Sequence, residues 1–416
     1  MGAMKNSSNE YLVITGAYWV FTLTDGALRM LILLHLHELG MGPLAIASLF
    51  LFYEFFGVLT NVAGGWLGAR FGLKTTLFFG LALQIAACFG LTVDPSRLSI
   101  FRLTLIQSMS GVAKDLTKMS AKSYVKLVVP AHDRHGLMRW VAILTGSKNT
   151  LKGLGFFLGA FLMEGLGFAG ACQLMAGALM LALIFATTML PRAPGRASAK
   201  PKLDSLWSRD LRINWLAAAR FFLFGSRDIW FVLALPVFLA QTLGWSREGV
   251  GAFLALWIIG YGVVQASTPG WIRNARKAEE APDGGSLIFW TGILILPLAA
   301  LAAAIANGHA TGGVLASGLA LFGVIFAVNS ALHSYLIVDY AKSDNVSRDV
   351  GFYYAANAAG RLVGTLLSGW LYQAGGLGRR GLLTCMAASM IFVLGSWLCL
   401  PSLRRAERSE SANTPS

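Results

Sequence analysis

Between Gly111 and Lys126 the chain reads GVAKDLTKMSAKSYVK, and Lys114, Lys118 and Lys122 recur every fourth residue. That spacing draws one stripe down a helix face. The stretch closes an apolar run that begins near Phe101, where a membrane-spanning helix is due. A lysine at mid-bilayer costs roughly 2.5–3.5 kcal/mol on insertion scales, so three in one span point to a wet or protein-lined cavity. The bland readings are a soluble basic amphipathic helix, or side chains that snorkel to the membrane edge. Snorkelling covers Lys126 and Lys122. It does not reach Lys114, which falls about halfway along the span.

Nine basic residues fall inside apolar stretches: Arg29, Lys114, Lys118, Lys122, Lys148, Lys152, Arg220, Arg227 and Arg361. Four acids share their depth, namely Asp25, Glu54, Asp115 and Asp228. Local pairs are expected for Asp25 with Arg29, Asp115 with Lys118, and Asp228 with Arg227 or another helix. Nine against four leaves an excess of five positive charges, and buried charge without partners calls for a compensating anion. For Lys122, Lys152 and Arg220 the competing reading is a place at the membrane interface. The expected anion site is Arg29, Lys114, Lys118, Lys148, Lys152, Arg227 and Arg361. Arginine's planar fork suits bidentate contact with phosphate-like oxygens, which makes Arg29 and Arg227 a candidate clamp. Glu54, in FLFYEFFGVLTN, reads as the most isolated acid and the best carrier of a coupling proton. His333, one turn from Asn329, has a reference pKa near neutrality and is a second candidate, with a packing role as the alternative.

Stepping from these residues to what holds them, 416 residues are 56% hydrophobic and 13% charged, with a mean hydropathy of +0.62. A soluble chain carries about 25% charged residues. The composition therefore describes a polytopic membrane protein, and the net charge of +14 does not indicate nucleic acid. Twelve spans of about 20 residues, the length a bilayer requires, are expected in all. They fall near 11–34, 44–66, 75–93, 101–126, 138–162, 168–190, 213–240, 249–269, 286–306, 313–338, 350–374 and 381–401. The one long polar segment, 191–212, reads as a flexible linker between a first half (11–190) and a second half (213–401). Residues 1–10 form a short N-terminal segment, and 402–416 read as an unstructured tail. Basic residues concentrate on one side, from Lys5, Arg70 and Lys74 through Lys126, Arg134 and Arg139 to the six of the linker. The positive-inside rule then places both termini in the cytoplasm. Cys88, Cys172, Cys385 and Cys399 lie in apolar spans and read as reduced core residues.

The halves repeat. Leu39-Gly40 matches Leu243-Gly244, Gly57-Val58 matches Gly262-Val263, and Gly65-Trp66 matches Gly270-Trp271, at an offset of about two hundred residues. Lys148, Lys152 and Gly155 align likewise with Asn357, Arg361 and Gly364. A parallel repeat of two six-helix halves, with its site at midplane, is the major facilitator architecture: an all-α membrane protein of twelve transmembrane helices. The loop from Gly64 to Lys74 resembles that superfamily's signature between spans 2 and 3, Gly-x-x-x-Asp-Arg-x-Gly-Arg-Arg/Lys. Gly65, Arg70, Gly72 and Lys74 fit and form the expected gate loop. Ala69 stands where the signature has its acid, and Leu73 where it has a basic residue, which puts the usual charge-relay gate in doubt.

Five stretches resemble a narrower family, the arsenic-resistance permeases of the ArsJ type. They are Tyr18–Gly40, Leu51–Leu73, Ser110–Pro130, Arg139–Gly159 and Phe222–Leu239, so the likeness covers most of residues 10 to 400. What the resemblance implies is export of 1-arseno-3-phosphoglycerate across the bacterial inner membrane, giving arsenate resistance. A glyceraldehyde-3-phosphate dehydrogenase would be the metabolic partner that makes the compound. The helix 1 and helix 7 arginines are also similar in role to the arginine pair of organophosphate–phosphate antiporters.

Two alternatives stay open at this point: a porter of ordinary organophosphates or phosphate, and a non-transporting membrane sensor. A sensor would need a sizeable output domain, and only a short linker and tail are present. No nucleophile–base set, metal-ligand spacing or nucleotide loop appears, so neither enzymatic chemistry nor a cofactor is expected.

Overall fold

The computed structural model describes residues 2–38, 43–92, 99–130, 133–190, 208–275, 282–342 and 345–413. They are helical almost throughout, with no strand among the described residues. The first half contains α1 (Gly2–Glu38), α2 (Pro43–Phe71), α3 (Leu73–Leu91), α4 (Ile100–Val128) and α5 (Arg134–Met189). The second contains α6 (Leu211–Phe231), α7 (Ala234–Gln241), α8 (Arg247–Ala275), α9 (Gly284–Ile293), α10 (Ile295–Ala306), α11 (Gly312–Tyr340), α12 (Val346–Ala374) and α13 (Gly378–Asn413). Gly167 adopts φ 67 and ψ 176, a left-handed backbone open to glycine, and divides α5 into the fifth and sixth spans. α6 with α7 makes the seventh span and α9 with α10 the ninth, which gives twelve.

Helix starts follow local chemistry. Ser99, Asp133, Asp210 and Thr311 each accept a backbone N–H of the first turn, and Asp283 with Ser286 forms a capping box. Among the described residues, eight helical stretches are long and apolar enough to cross a membrane. α4 and α12 fall short because they carry the lysine stripe and the polar face around Arg361.

Within lipid, close helix contact depends on small residues, and glycines mark equivalent positions in the two halves. α1 packs on α5 and α6 packs on α12. A Cβ at Gly155 would lie 2.5 Å from the Leu23 carbonyl oxygen, and one at Gly159 2.4 Å from that of Ala27. A Cβ at Gly360 would lie 2.1 Å from the Phe221 carbonyl oxygen, and one at Gly364 2.6 Å from that of Gly225. The repeat match of Gly155 with Gly364 is thus a match of packing. Contacts between the halves run through α2 on α12 and α5 on α8, again across glycines: Gly65 against Gly351, and Gly146 against Gly262. One hydrophobic core joins the halves where Tyr124, Val125 and Leu137 meet Leu332, Tyr335 and Tyr354. A second is confined to the second half, around Trp230 and Phe322.

Two expectations change. The linker lies largely outside the described residues, and α6 begins at Leu211. The tail is not unstructured: α13 continues through Pro401 to Asn413. Glu407 holds it in place by accepting Gly284 N–H at 3.0 Å and the Tyr340 hydroxyl. Burial raises the Glu407 carboxyl above the ordinary range, against those hydrogen bonds. The four cysteines are buried and free.

The packing predicts a contrast. Gly360→Ala drives a methyl into the Phe221 backbone and should cost about 1–3 kcal/mol, the scale of overpacking. Gly177→Ala meets nothing within 4 Å and should leave stability unchanged or raised. Thermal unfolding of the purified proteins measures both, and equal melting temperatures would contradict the close contact.

Candidate anion site

Four carboxylates inside the bundle organise its cations. Three are neutralised from their own helix. Asp25 lies 4.0 Å from Arg29, Asp115 contacts Lys118, and Asp228 accepts Arg227 Nε at 2.7 Å. The fourth, Glu54 on α2, is held from three other helices. Its Oε1 lies 3.2 Å from both Arg29 Nη2 of α1 and Arg361 Nη2 of α12, and its Oε2 lies 3.5 Å from Lys114 Nζ of α4. Arg361 also donates from Nε to Asp228 at 3.1 Å, so its guanidinium ties a carboxylate of the first half to one of the second. Gly57, one turn from Glu54, makes the cluster possible, since a Cβ there would sit 2.4 Å from Asp115 Oδ2. The network borders open space: Arg361 is 25% exposed and Glu54 and Arg29 17%, against 0% for Asp228 and 2% for Asp115.

Of the nine basic residues in the spans, Lys122, Lys148, Lys152 and Arg220 have no carboxylate within ion-pair distance among the described residues, and the first and last of these find other partners. Lys148 and Lys152 sit one turn apart on α5. Lys148 lies in the field of Lys118, Lys122, Arg361 and Lys114, and Lys152 in that of Arg29, Asp25, Arg361 and Glu54. Lys122 and Arg220 do not reach the interface. Lys122 is buried, donates to the Tyr354 hydroxyl and lies 4.3 Å from that ring's centroid, and Lys118 lies 4.9 Å from the same ring. Arg220 donates to Asn357 Oδ1 at 2.9 Å, with its guanidinium 3.8 Å from the Phe224 centroid. Aromatic faces and amide oxygens thus take the place of acids for these two.

Several sequence expectations need correction. Glu54 is the most heavily coordinated acid rather than the most isolated. Arg29 and Arg227 each hold a different carboxylate, Glu54 and Asp228, and Arg361 spans between those carboxylates. His333 is fully buried in α11 with neither ring nitrogen hydrogen-bonded. In the gate loop, Gly72 takes φ 91 to turn α2 into α3, and Gly65 is the close contact with α12. Arg70 stacks 5.0 Å over Trp66, and Lys74 donates to the Leu190 carbonyl. Of the loop, only the Gly65 backbone takes part in these polar ties between the halves. Ser347 donates to the Gly65 carbonyl at 3.0 Å, Arg134 Nη2 pairs with Asp339 Oδ2 at 2.7 Å, and Lys126 donates to the Asp339 carbonyl at 2.9 Å. Burial pulls the Arg134 guanidinium down, but its bonds to Asp339 outweigh this and its pKa is raised. Sequence reasoning missed Asp339 and Tyr354. Tyr354 lies two turns before Arg361, so helical periodicity from that arginine would have found it. An open cleft of 430 Å³ beside Phe56, Phe79 and Phe101 is apolar and separate from these charges.

Twelve spans in two glycine-packed halves, with charge gathered between them, define a multi-pass membrane carrier. The family profile of the Major Facilitator Superfamily matches residues 14–278, more than half of the chain, and the chain belongs to that superfamily of transporters. No curated protein sequence matches it. Among solved structures, a bacterial homologue of the iron transporter ferroportin in an outward-facing state superposes with a TM-score of 0.74 at 14% identity, covering 95% of this chain and 99% of that one. The proton:xylose symporter XylE gives 0.72 at 14% over 94% and 96%. The human organic anion transporter MFSD10 gives 0.72 at 17% over 95% and 99%. These likenesses concern the fold.

The bridge at Arg361 makes a double-mutant prediction. Arg361→Met should lower the melting temperature, and adding Glu54→Gln should recover part of the loss, with a coupling energy of about 0.5–3 kcal/mol. Strict additivity of the two changes would show that the contact carries no energy.

Proposed function

We propose that this transporter exports an organic anion carrying phosphate- or arsenate-type charge, with 1-arseno-3-phosphoglycerate as the substrate, and so confers arsenate resistance. The observation that carries this reading is the pair Lys148 and Lys152, cations without carboxylates that share the field of the Glu54–Arg361 network. A multiply charged anion supplies the compensation they lack. Neutral sugars have no use for such a field, and divalent cations are repelled by it.

In this reading the chain sits in the bacterial inner membrane with both termini in the cytoplasm, where its basic loops belong. The Arg134–Asp339 pair and the Gly65–Gly351 contact then close the cytoplasmic end, leaving the site open outward. Lys148 and Lys152 meet the anion first. Arg29, Lys114, Lys118, Arg227 and Arg361 reach it by exchanging carboxylate for substrate oxygen, the arginines in bidentate fashion. The functional partner is a glyceraldehyde-3-phosphate dehydrogenase that forms the substrate from arsenate.

The experiment is arsenate tolerance of cells expressing the transporter alone, the dehydrogenase alone, or both. Both together should protect strongly and either alone little. Replacing the transporter by Lys148→Gln at matched expression should weaken anion capture about tenfold or more, the scale of one charge-assisted hydrogen bond, and remove most of the protection. Full protection by the transporter alone would point to direct arsenate export. No protection under any condition, with uptake of ordinary phosphorylated metabolites into everted vesicles, would favour an organophosphate porter.

A further inference from the structure

We propose that Glu54 is a tethered stand-in for the transported anion, occupying its cation pocket in the empty carrier and competing with it for the same donors. The inference rests on the anionic substrate proposed above.

Glu54 differs from the other buried acids in the origin of its partners. Asp25, Asp115 and Asp228 are each paired with a base on their own helix, at i+4, i+3 and i−1, and their side chains are 6%, 2% and 0% exposed. Those acids neutralise local charge and are sealed from incoming solutes. α2 holds no base near Glu54; its only basic residue is Arg70, at the far end of the helix. The Glu54 carboxylate is instead the point on which cations of α1, α4 and α12 converge, at 3.2, 3.5 and 3.2 Å, and it remains 17% exposed. Three donors from three helices, aimed at one oxyanion at the edge of open space, are the arrangement a phosphate-like group would meet.

An entering anion finds Lys148 and Lys152 unpaired and the remaining donors taken by Glu54. Exchange is possible because the freed carboxylate is not stranded: Lys152 already lies in its field. The exchange also undoes the Glu54–Arg361 contact, which joins α2 to α12, helices of opposite halves. Site occupancy and one of the ties between the halves thereby depend on the same carboxylate.

The test is equilibrium binding of 3-phosphoglycerate to the purified full-length protein by titration calorimetry. A competitor that fills the pocket lowers apparent affinity by the fraction of time it leaves the pocket free. With that fraction at about one tenth, Glu54→Gln should bind about tenfold tighter than wild type. Glu54→Asp keeps the charge but withdraws it by one methylene. It should also bind more tightly, and it stands in for the glutamine variant should that fail to fold. Binding by wild type that is equal or weaker in the variants overturns the proposal while leaving the anion site intact, since Glu54 is then only a strut for its cations. No binding by wild type or either variant overturns the anion site and this proposal together.

Discussion

Positive charge in a low-dielectric bundle has to be compensated where it stands, and this molecule is arranged around that constraint. Nine basic residues and four acids share the depth of the membrane. Three of the acids serve more than one cation: Glu54, Asp115 between Lys114 and Lys118, and Asp228 between Arg227 and Arg361. Where acids run out, the ring and hydroxyl of Tyr354 and the side-chain amide of Asn357 are used. Lys148 and Lys152, half-buried on α5, are left without a carboxylate partner among the described residues. The proposed anion site is built on this imbalance.

Helix packing makes the compensation geometrically possible. Gly57 gives way to the Asp115 carboxylate, and the backbone of α5 at Lys152 approaches α1 because residue 26 has no side chain. The same device joins the halves, through Gly65 with Gly351 and Gly146 with Gly262. The architecture is shared with proteins described as an iron transporter homologue, a xylose symporter and an organic anion transporter, so the backbone alone does not select a cargo. In the proposed reading the charges between the halves do.

Much of this was legible in the chain itself, and the limits of legibility are physical. Spans, caps and the lysine stripe are local properties, fixed by hydropathy and by a period of four residues; of the glycine matches, Gly155 with Gly364 is one of packing, whereas Gly270, matched to Gly65, meets nothing within 4 Å. Partners that arrive from distant helices leave no such trace. Glu54 looked isolated because α2 carries no nearby base, while its three cations come from residues 29, 114 and 361. Arg134 reads in the sequence as an ordinary loop charge, and only the approach of α5 to α11 gives it Asp339 as a partner. The helical tail was misread because the anchor of Glu407 is the backbone N–H of Gly284, and a backbone donor has no sequence signature.

The central claim is that the cavity carries anions, and charge movement tests it most directly. Proteoliposomes containing the protein, adsorbed on a solid-supported membrane, can be given a rapid concentration jump of 3-phosphoglycerate, of xylose or of ferrous iron. The account predicts a saturable transient current carried by negative charge with 3-phosphoglycerate, suppressed in Lys148→Gln, and no protein-dependent signal with the other two. A saturable current with ferrous iron or xylose, and none with the phosphate ester, would contradict it.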